Sequence, residues 1–517
     1  MRRYIALILC LLLCFGLWGC TKPESEATTE STTAETPESP HDGVHILLSD
    51  NGITVDGNAA SDNNTDAVYV AKDIIYYEDG KDFTYGDGDE SDAHTQEEAY
   101  SHTVVHITQP GQYVLSGTLS KGQIAVDLGS DAKNDPSAVV TLLLDGVNIT
   151  STVAPAIIFY NVYECGNTDT ESASATVDTS TAGANVILAS GTENNIHGAY
   201  VAKIYKPGSV ELSSDGTKVE NAKKLHKYDG AFYSKMSMNI SGDGTLNITA
   251  ANEGLDTELH LTINGGNINI VSGNDGINTN EDNVSVTTIN GGKLNILVDG
   301  STGEGDGIDS NGWLVINGGT VIAQACGFSG DAGIDSDKGI HINGGFLFAT
   351  GNMLDHISDS KQNFAVFQFS SSQRVSMYAE DFRSYTLQDS NGKEIISSTV
   401  DNDFSYLIMS SPNLSAGEYT LWQGKQPLAG TKVQQLGMGG GMFSGGQMPG
   451  GMTPPTGMPP QEKPEGTNPP GGFDPSHNGP NSGPNNGISG EVSNIFNVED
   501  GSNYFAYVTE FSTTQAS

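Results

Sequence analysis

Two sets of oxygen-bearing side chains recur at matching places along this 517-residue chain. One directly follows an aliphatic residue: Asp256 after Leu255, Asn278 after Ile277, Asp309 after Ile308 and Asp335 after Ile334. The other precedes the same aliphatic residue by two: Glu253, Asp275 and Asp306, with Asp331 close to that place in the last row. An earlier row, Asp229-Gly230-Ala231-Phe232, aligns with them through its glycine. Hard oxygen donors without His or Cys form a ligand set for calcium rather than zinc. Magnesium, which keeps tight, water-rich octahedra, suits them less. The plainer reading of the same residues is a solvated acidic face.

Donors so far apart in the chain act together only if the fold stacks them. Ile-Asn-Gly-Gly begins at Ile263, Ile289, Ile316 and Ile342, at intervals of 26, 27 and 26 residues. A unit this short cannot bury its own apolar face and must stack on its neighbours. Within the units Leu246/Ile248, Ile268/Ile270, Leu294/Ile296, Val321/Ala323 and Leu347/Ala349 alternate with mostly polar residues, which predicts strands. The expected fold is all-β, a parallel β-helix with coils about 4.8 Å apart. Equal positions then superpose: Leu255, Ile277, Ile308 and Ile334 point inward, and the residue after each faces outward on a long flat flank. The intervening glycine is expected to turn Glu253, Asp275 and Asp306 outward as well.

Carboxylates repeated at that spacing repel by roughly 1 kcal/mol per pair in water, and more where solvent is excluded. Raised pKa values, hydrogen bonds or a bound cation must offset this. Calcium–oxygen distances of about 2.3 to 2.6 Å let one ion bridge ligands on successive coils. Asn264, Asn290, Asn317 and Asn343 read differently, as a structural amide ladder at a turn.

The formal net charge of −40 excludes an electrostatic nucleic-acid binder and favours cations as partners. Residues 1–20, with Arg2, Arg3 and the apolar run from Ile5 to Leu17, read as an export signal. Its ending, Leu17-Trp18-Gly19-Cys20, resembles a bacterial lipobox, which implies a lipid on Cys20; plain secretion is the alternative. The expected organisation continues with a disordered tether (21–45), an irregular N-terminal cap (46–103) and the β-helix (104–372). A C-terminal antiparallel cap (373–436), a disordered Gly/Met/Pro-rich insertion (437–490) and a returning β segment (491–517) follow. Val375 to Met377, Tyr385 to Leu387, Tyr406 to Met409 and Tyr419 to Trp422 are the predicted cap strands. The polar stretch from Gly166 to Gly183 is expected to loop off the stack. Cys165 and Cys326 are too few for a disulfide framework, and whether they pair is left open.

Tyr228-Asp229-Gly230 through Lys235, Gly244-Thr245-Leu246-Asn247-Ile248, Asp306-Gly307-Ile308-Asp309-Ser310-Asn311-Gly312 and Ile316-Asn317-Gly318-Gly319-Thr320-Val321 together resemble a known family. It is the bacterial carbohydrate-binding-domain family of right-handed parallel β-helix lipoproteins, related in shape to pectate lyases. The resemblance spans roughly Val104 to Gln435 and implies calcium along the coils, carried onto Asp256, Asp306, Asp309 and Asp335. It also implies binding of a plant-cell-wall polysaccharide, acidic pectin or cellulose, at the extracellular face of a bacterial membrane. Asn278 departs from the acidic pattern and interrupts the line.

A neutral glucan would need aromatic platforms. Trp313 is expected outward, in register with His260 two coils away. An alternative activity is a calcium-dependent polysaccharide lyase. No Arg occurs between Arg3 and Arg374, so its base would be Lys338 or Lys235. A third reading is a non-catalytic adhesin or structural surface protein. The chain is expected to be monomeric.

Overall fold

The computed structural model describes residues 41–78, 80–86, 94–201, 203–436 and 491–511. The export signal with Cys20, nearly all of the tether and the Gly/Met/Pro-rich insertion lie outside the described residues. Among the described residues the chain is all-β, with one short α-helix, Gln96–Ser101, capped by the Thr95 hydroxyl.

The alternating segments form strands, and three strands recur in each repeat from Gly230 to Gln324, with two in the repeat that follows. One repeat contributes Glu253–Thr257, Leu261–Ile263 and Asn267–Ser272; the next contributes Ile277–Thr279, Val286–Ile289 and Lys293–Val298. Each pairs in parallel with its counterpart in the next repeat. The register follows the sequence repeat: Ile263 opposes Ile289, Ile289 opposes Ile316 and Ile316 opposes Ile342. Leu255, Ile277, Ile308 and Ile334 are fully buried in one continuous core with those isoleucines. Burial of each such side chain stabilises by roughly 1.5–3 kcal/mol, so the aliphatic rows bind repeat to repeat.

The Asn-Gly-Gly corner works through both of its residue types. Asn290 donates its side-chain amide to Asn264 Oδ1 at 2.9 Å, Asn317 to Asn290 at 2.9 Å and Asn343 to Asn317 at 3.0 Å. The second glycine adopts a left-handed backbone, with φ +82° at Gly292 and +80° at Gly319. A Cβ on Gly319 would stand 2.7 Å from the carbonyl oxygen of Gly292. Gly319→Ala is therefore expected to lower stability by on the order of 2 kcal/mol or more, read as a shift of the denaturant midpoint.

One eight-stranded sheet carries the acidic rows and runs through the molecule. From Val68–Ala71 it passes through Thr103–Ile107, Gly122–Asp127, Ile157–Asn161 and Gly230–Ser234 to Glu253–Thr257, Ile277–Thr279 and Ile308–Ser310. The row containing Asp229 enters one residue away from its expected register. Phe232 opposes Leu255, and Tyr233, not Phe232, opposes Asp256. A one-residue slip exchanges the faces of a strand, and Phe232 rather than the small Ala231 takes the core position beside Leu255.

At the other end Phe346–Gly351 meets Phe404–Ser410 antiparallel, which ends the parallel series. Phe364–Gln373 also pairs antiparallel with that strand, and the late strand Ser502–Glu510 lies parallel beside it. A second, aromatic core forms here, with Phe367 stacked on Phe505 at 5.2 Å. Tyr385–Leu387, Tyr406–Met409 and Tyr419–Trp422 lie in strands, but Val375–Met377 is a 3-10 turn. Only Val375 of those three is buried, and Met377 is 80% exposed, so nothing holds the segment extended.

Candidate functional site

Asp256, Asn278 and Asp309 stand in one register row across adjacent parallel strands. Asp335 joins them through its backbone, its N–H donating to the Ile308 carbonyl at 2.7 Å. Asp306, Asp309 and Asp335 converge: one carboxylate oxygen from each lies within 4.8 Å of the others. This cluster is partly open to solvent.

The remaining acids depart from the expected exposed flank. Asp256 is fully buried, and Glu253, Asn278 and Asp275 are nearly so, at 7%, 8% and 9% exposure. Asp256 lies between Tyr233 and Asn278 in its register row. Asn280 adds cover, donating to Asp256 Oδ1 at 2.6 Å. Asn278 donates to Glu253 Oε1 at 3.1 Å. Glu253 Oε2, Asp256 Oδ2 and Asn278 Oδ1 are buried oxygens without a hydrogen-bond partner. Such orphaned acceptors cost on the order of 1–3 kcal/mol each unless a proton or a cation meets them.

Their electrostatics follow from that burial. Desolvation, then the charge of Asp229, pushes Glu253 up to about 7. Desolvation, then Asp275, pushes Asp309 up to about 7, and desolvation, then Asp355, pushes Asp335 up to about 8. Asp256, Asp275 and Asp306 are raised well above the usual carboxylate range, first by burial and then by neighbouring carboxylates.

The acids two positions ahead of the aliphatic row also serve the backbone. Asp275 Oδ1 accepts the Asp306 N–H at 2.7 Å, and Asp306 Oδ1 accepts the Ala332 N–H. Ala332 thus occupies the next place in that column. Asp331, expected among the ligands, fastens a loop: its Oδ2 accepts the Gly305 N–H at 2.7 Å and the Ser329 hydroxyl.

His260 and Trp313 do share a register column, through Val286. Trp313 is half-buried, but His260 is only 4% exposed and presents no surface to a sugar. The stretch expected to loop away packs back over it. Gly166 lies against the His260 ring, Glu164 clamps the Ser237 N–H and hydroxyl at 2.7 Å each, and Thr179 bonds Thr262 at 2.8 Å. Inside this cover the His260 Nδ1 accepts the Val286 N–H at 3.1 Å, and desolvation lowers the imidazole to about 4. Lys338 and Lys235 are exposed. Cys165 and Cys326 are free thiols.

Asp355 belongs beside the cluster and escaped the sequence reading. Its carboxylate faces Asp335 and accepts the Ser336 N–H at 3.0 Å. Leu354-Asp355 repeats the aliphatic-acid pair of Ile308-Asp309 and Ile334-Asp335, but Met353 stands where those rows carry glycine. An alignment on the hydrophobe alone would have found it.

The chain is an all-β repeat protein with a row of oxygen donors along one sheet. The family model described as carbohydrate-binding domain-containing protein matches residues 101–390, more than half of the chain. This chain belongs to that family. A carbohydrate-binding domain-containing protein of Acetivibrio thermocellus is 29% identical over 171 residues, covering 33% of this chain and 46% of the relative. The chain thus spans less than half the length of that curated relative. A solved polysaccharide lyase-like protein from C. thermocellum, a gadolinium derivative, is similar over 59% of this chain and 89% of its own, at 22% identity and a TM-score of 0.34.

Proposed function

We propose that this protein is a calcium-loaded, right-handed parallel β-helix that holds plant-cell-wall polysaccharide, acidic pectin or cellulose, at the extracellular face of a bacterial membrane. Cys20 would carry the lipid anchor. The observation that carries the reading is the convergence of Asp306, Asp309 and Asp335 within 4.8 Å. Three carboxylates so close, raised by burial and mutual repulsion, fit a divalent hard cation better than they fit one another. The buried unpartnered oxygens of Glu253, Asp256 and Asn278 support a second ligand group of the same chemistry further along the row. Bound calcium would supply positive charge on an otherwise anionic surface, to which uronate carboxylates and sugar hydroxyls can attach.

A pull-down on insoluble pectate and on cellulose tests the reading. Retention in calcium that is lost in chelator supports it, and retention indifferent to both opposes it. The lyase alternative is tested in the same tubes by ultraviolet absorbance of unsaturated product. The binding reading expects none, and any product should vanish in Lys338→Ala.

A further inference from the structure

The chain is strongly acidic, yet between Lys203 and Lys227 it carries six lysines against three carboxylates. Those carboxylates are Glu211, Asp215 and Glu220. Asp215 is taken up by its own turn, accepting the Ser213 and Thr217 hydroxyls at 2.6 and 2.8 Å. Lys203, Lys206, Lys218, Lys223, Lys224 and Lys227 are exposed, and no ion pair to any of them is found among the described residues. Six lysines in one segment make a basic stretch on a chain of net charge −40, and Lys206 is the one of them that lines a cavity.

This segment forms one wall of a cavity of about 680 Å³, a volume suited to a small ligand. The opposite wall comes from residues 73–85. A backbone bond joins the two walls, the Tyr205 N–H donating to the Tyr85 carbonyl at 2.8 Å, and the bond from the Leu225 N–H to the Ile204 carbonyl at 2.7 Å closes the first wall on itself. Tyr76, Tyr85, Tyr205, Lys81, Lys206 and His226 line the space, with Lys81 already paired to Glu78 at 3.0 Å. The His226 Nδ1 is a buried polar atom with no hydrogen-bond partner. Two acids also line it, and both are already engaged. Asp73 pairs with His106 at 2.9 Å, and Asp82 accepts the Thr84 N–H and hydroxyl.

Phenol rings offer flat faces to the C–H side of a sugar ring, ammonium groups select a carboxylate, and an imidazole nitrogen meets a hydroxyl. The cavity also adjoins the head of the acidic row, because Lys224, Lys203 and Lys227 all act on the Asp229 carboxylate. A chain of acidic sugars held here would continue toward that row.

We propose that the Tyr76–Tyr85–Tyr205 cavity, with Lys206 as its carboxylate-selecting ammonium, is a second carbohydrate site that binds a uronic-acid sugar without calcium. It rests on the polysaccharide-binding reading above but not on the cation cluster.

The test is calorimetry of the full chain with tetragalacturonate and with its methyl ester, in chelator and in calcium. The free acid should bind in chelator, and the ester at least tenfold more weakly. Lys206→Ala and Tyr76→Ala should each weaken free-acid binding at least fivefold. Lys206→Arg should retain it, and calcium uptake should be unchanged in all three variants. Asp87, Asp89, Glu90 and Asp92 follow this wall in sequence. If they use up the lysines, Lys206→Ala will leave affinity unchanged, and that result overturns the proposal. No binding in chelator, or equal binding of the ester, overturns it too. A blank chelator arm with calcium-dependent retention removes this site alone. Binding in chelator without any calcium uptake removes the cation reading alone.

Discussion

Asp309→Asn is expected to weaken calcium binding at the Asp306–Asp309–Asp335 cluster at least tenfold and, in the absence of metal, to make the protein more stable. The two effects share one cause. Asp309 converges with Asp306 and Asp335, and burial, then Asp275 and other carboxylates, already disfavours its charge. With a divalent ion present, that charge is a ligand, and replacing one of three carboxylates by an amide keeps a neutral oxygen but removes one negative charge and its share of the attraction. A tenfold loss corresponds to about 1.4 kcal/mol. Without the ion the same charge only repels, and the amide relieves its neighbours. Calorimetric titration with calcium, paired with thermal unfolding in chelator, reads both signs. If the variant takes up calcium as the parent does, the cluster is not the site.

The metal-free protein should lose stability as pH rises from about 4 to about 8, against the usual trend for acid-sensitive proteins. Below the ordinary carboxylate range, folded and unfolded chains both hold their protons. Above it the unfolded chain has released them, while Glu253 and Asp309 keep theirs to about 7 and Asp335 to about 8. Over that window the folded state binds more protons, so each step up in pH favours unfolding, and above about 8 the contribution of these three groups is lost. A shift of this size at Asp309 alone corresponds to on the order of 4 kcal/mol. The melting temperature in chelator should fall by on the order of 5 °C or more between pH 5 and pH 8. Saturating calcium should flatten the profile, since the ion replaces the protons. A chelated protein whose stability is level or rising over that range would contradict the burial of these acids.

The stacking register was legible because the repeat is short and its marks differ in kind. An isoleucine needs the core, an asparagine bonds its own kind one repeat away, and the second glycine needs a left-handed backbone against a neighbouring carbonyl. Each mark fixes the phase independently, so strand pairing from Ile263 to Ile342 follows from spacing alone. Where a mark is missing the reading slips. The row at Asp229 was aligned on its glycine and lies one residue off, and Asp355 has no glycine and went unseen.

Periodicity in one dimension settles which residues are neighbours, and it placed Asp256, Asn278 and Asp309 side by side before any coordinates. What lies over those neighbours depends on segments with no period, and only the folded chain shows it. The 162–183 stretch closes over His260, Glu253, Asp256 and Asp275 are buried, and Tyr205 and Lys206 meet Tyr76 and Tyr85 around a cavity. Burial decides whether a carboxylate is a solvated ornament or a charged group in need of a counterion. It is a property of everything packed around the residue and is written nowhere in its own repeat.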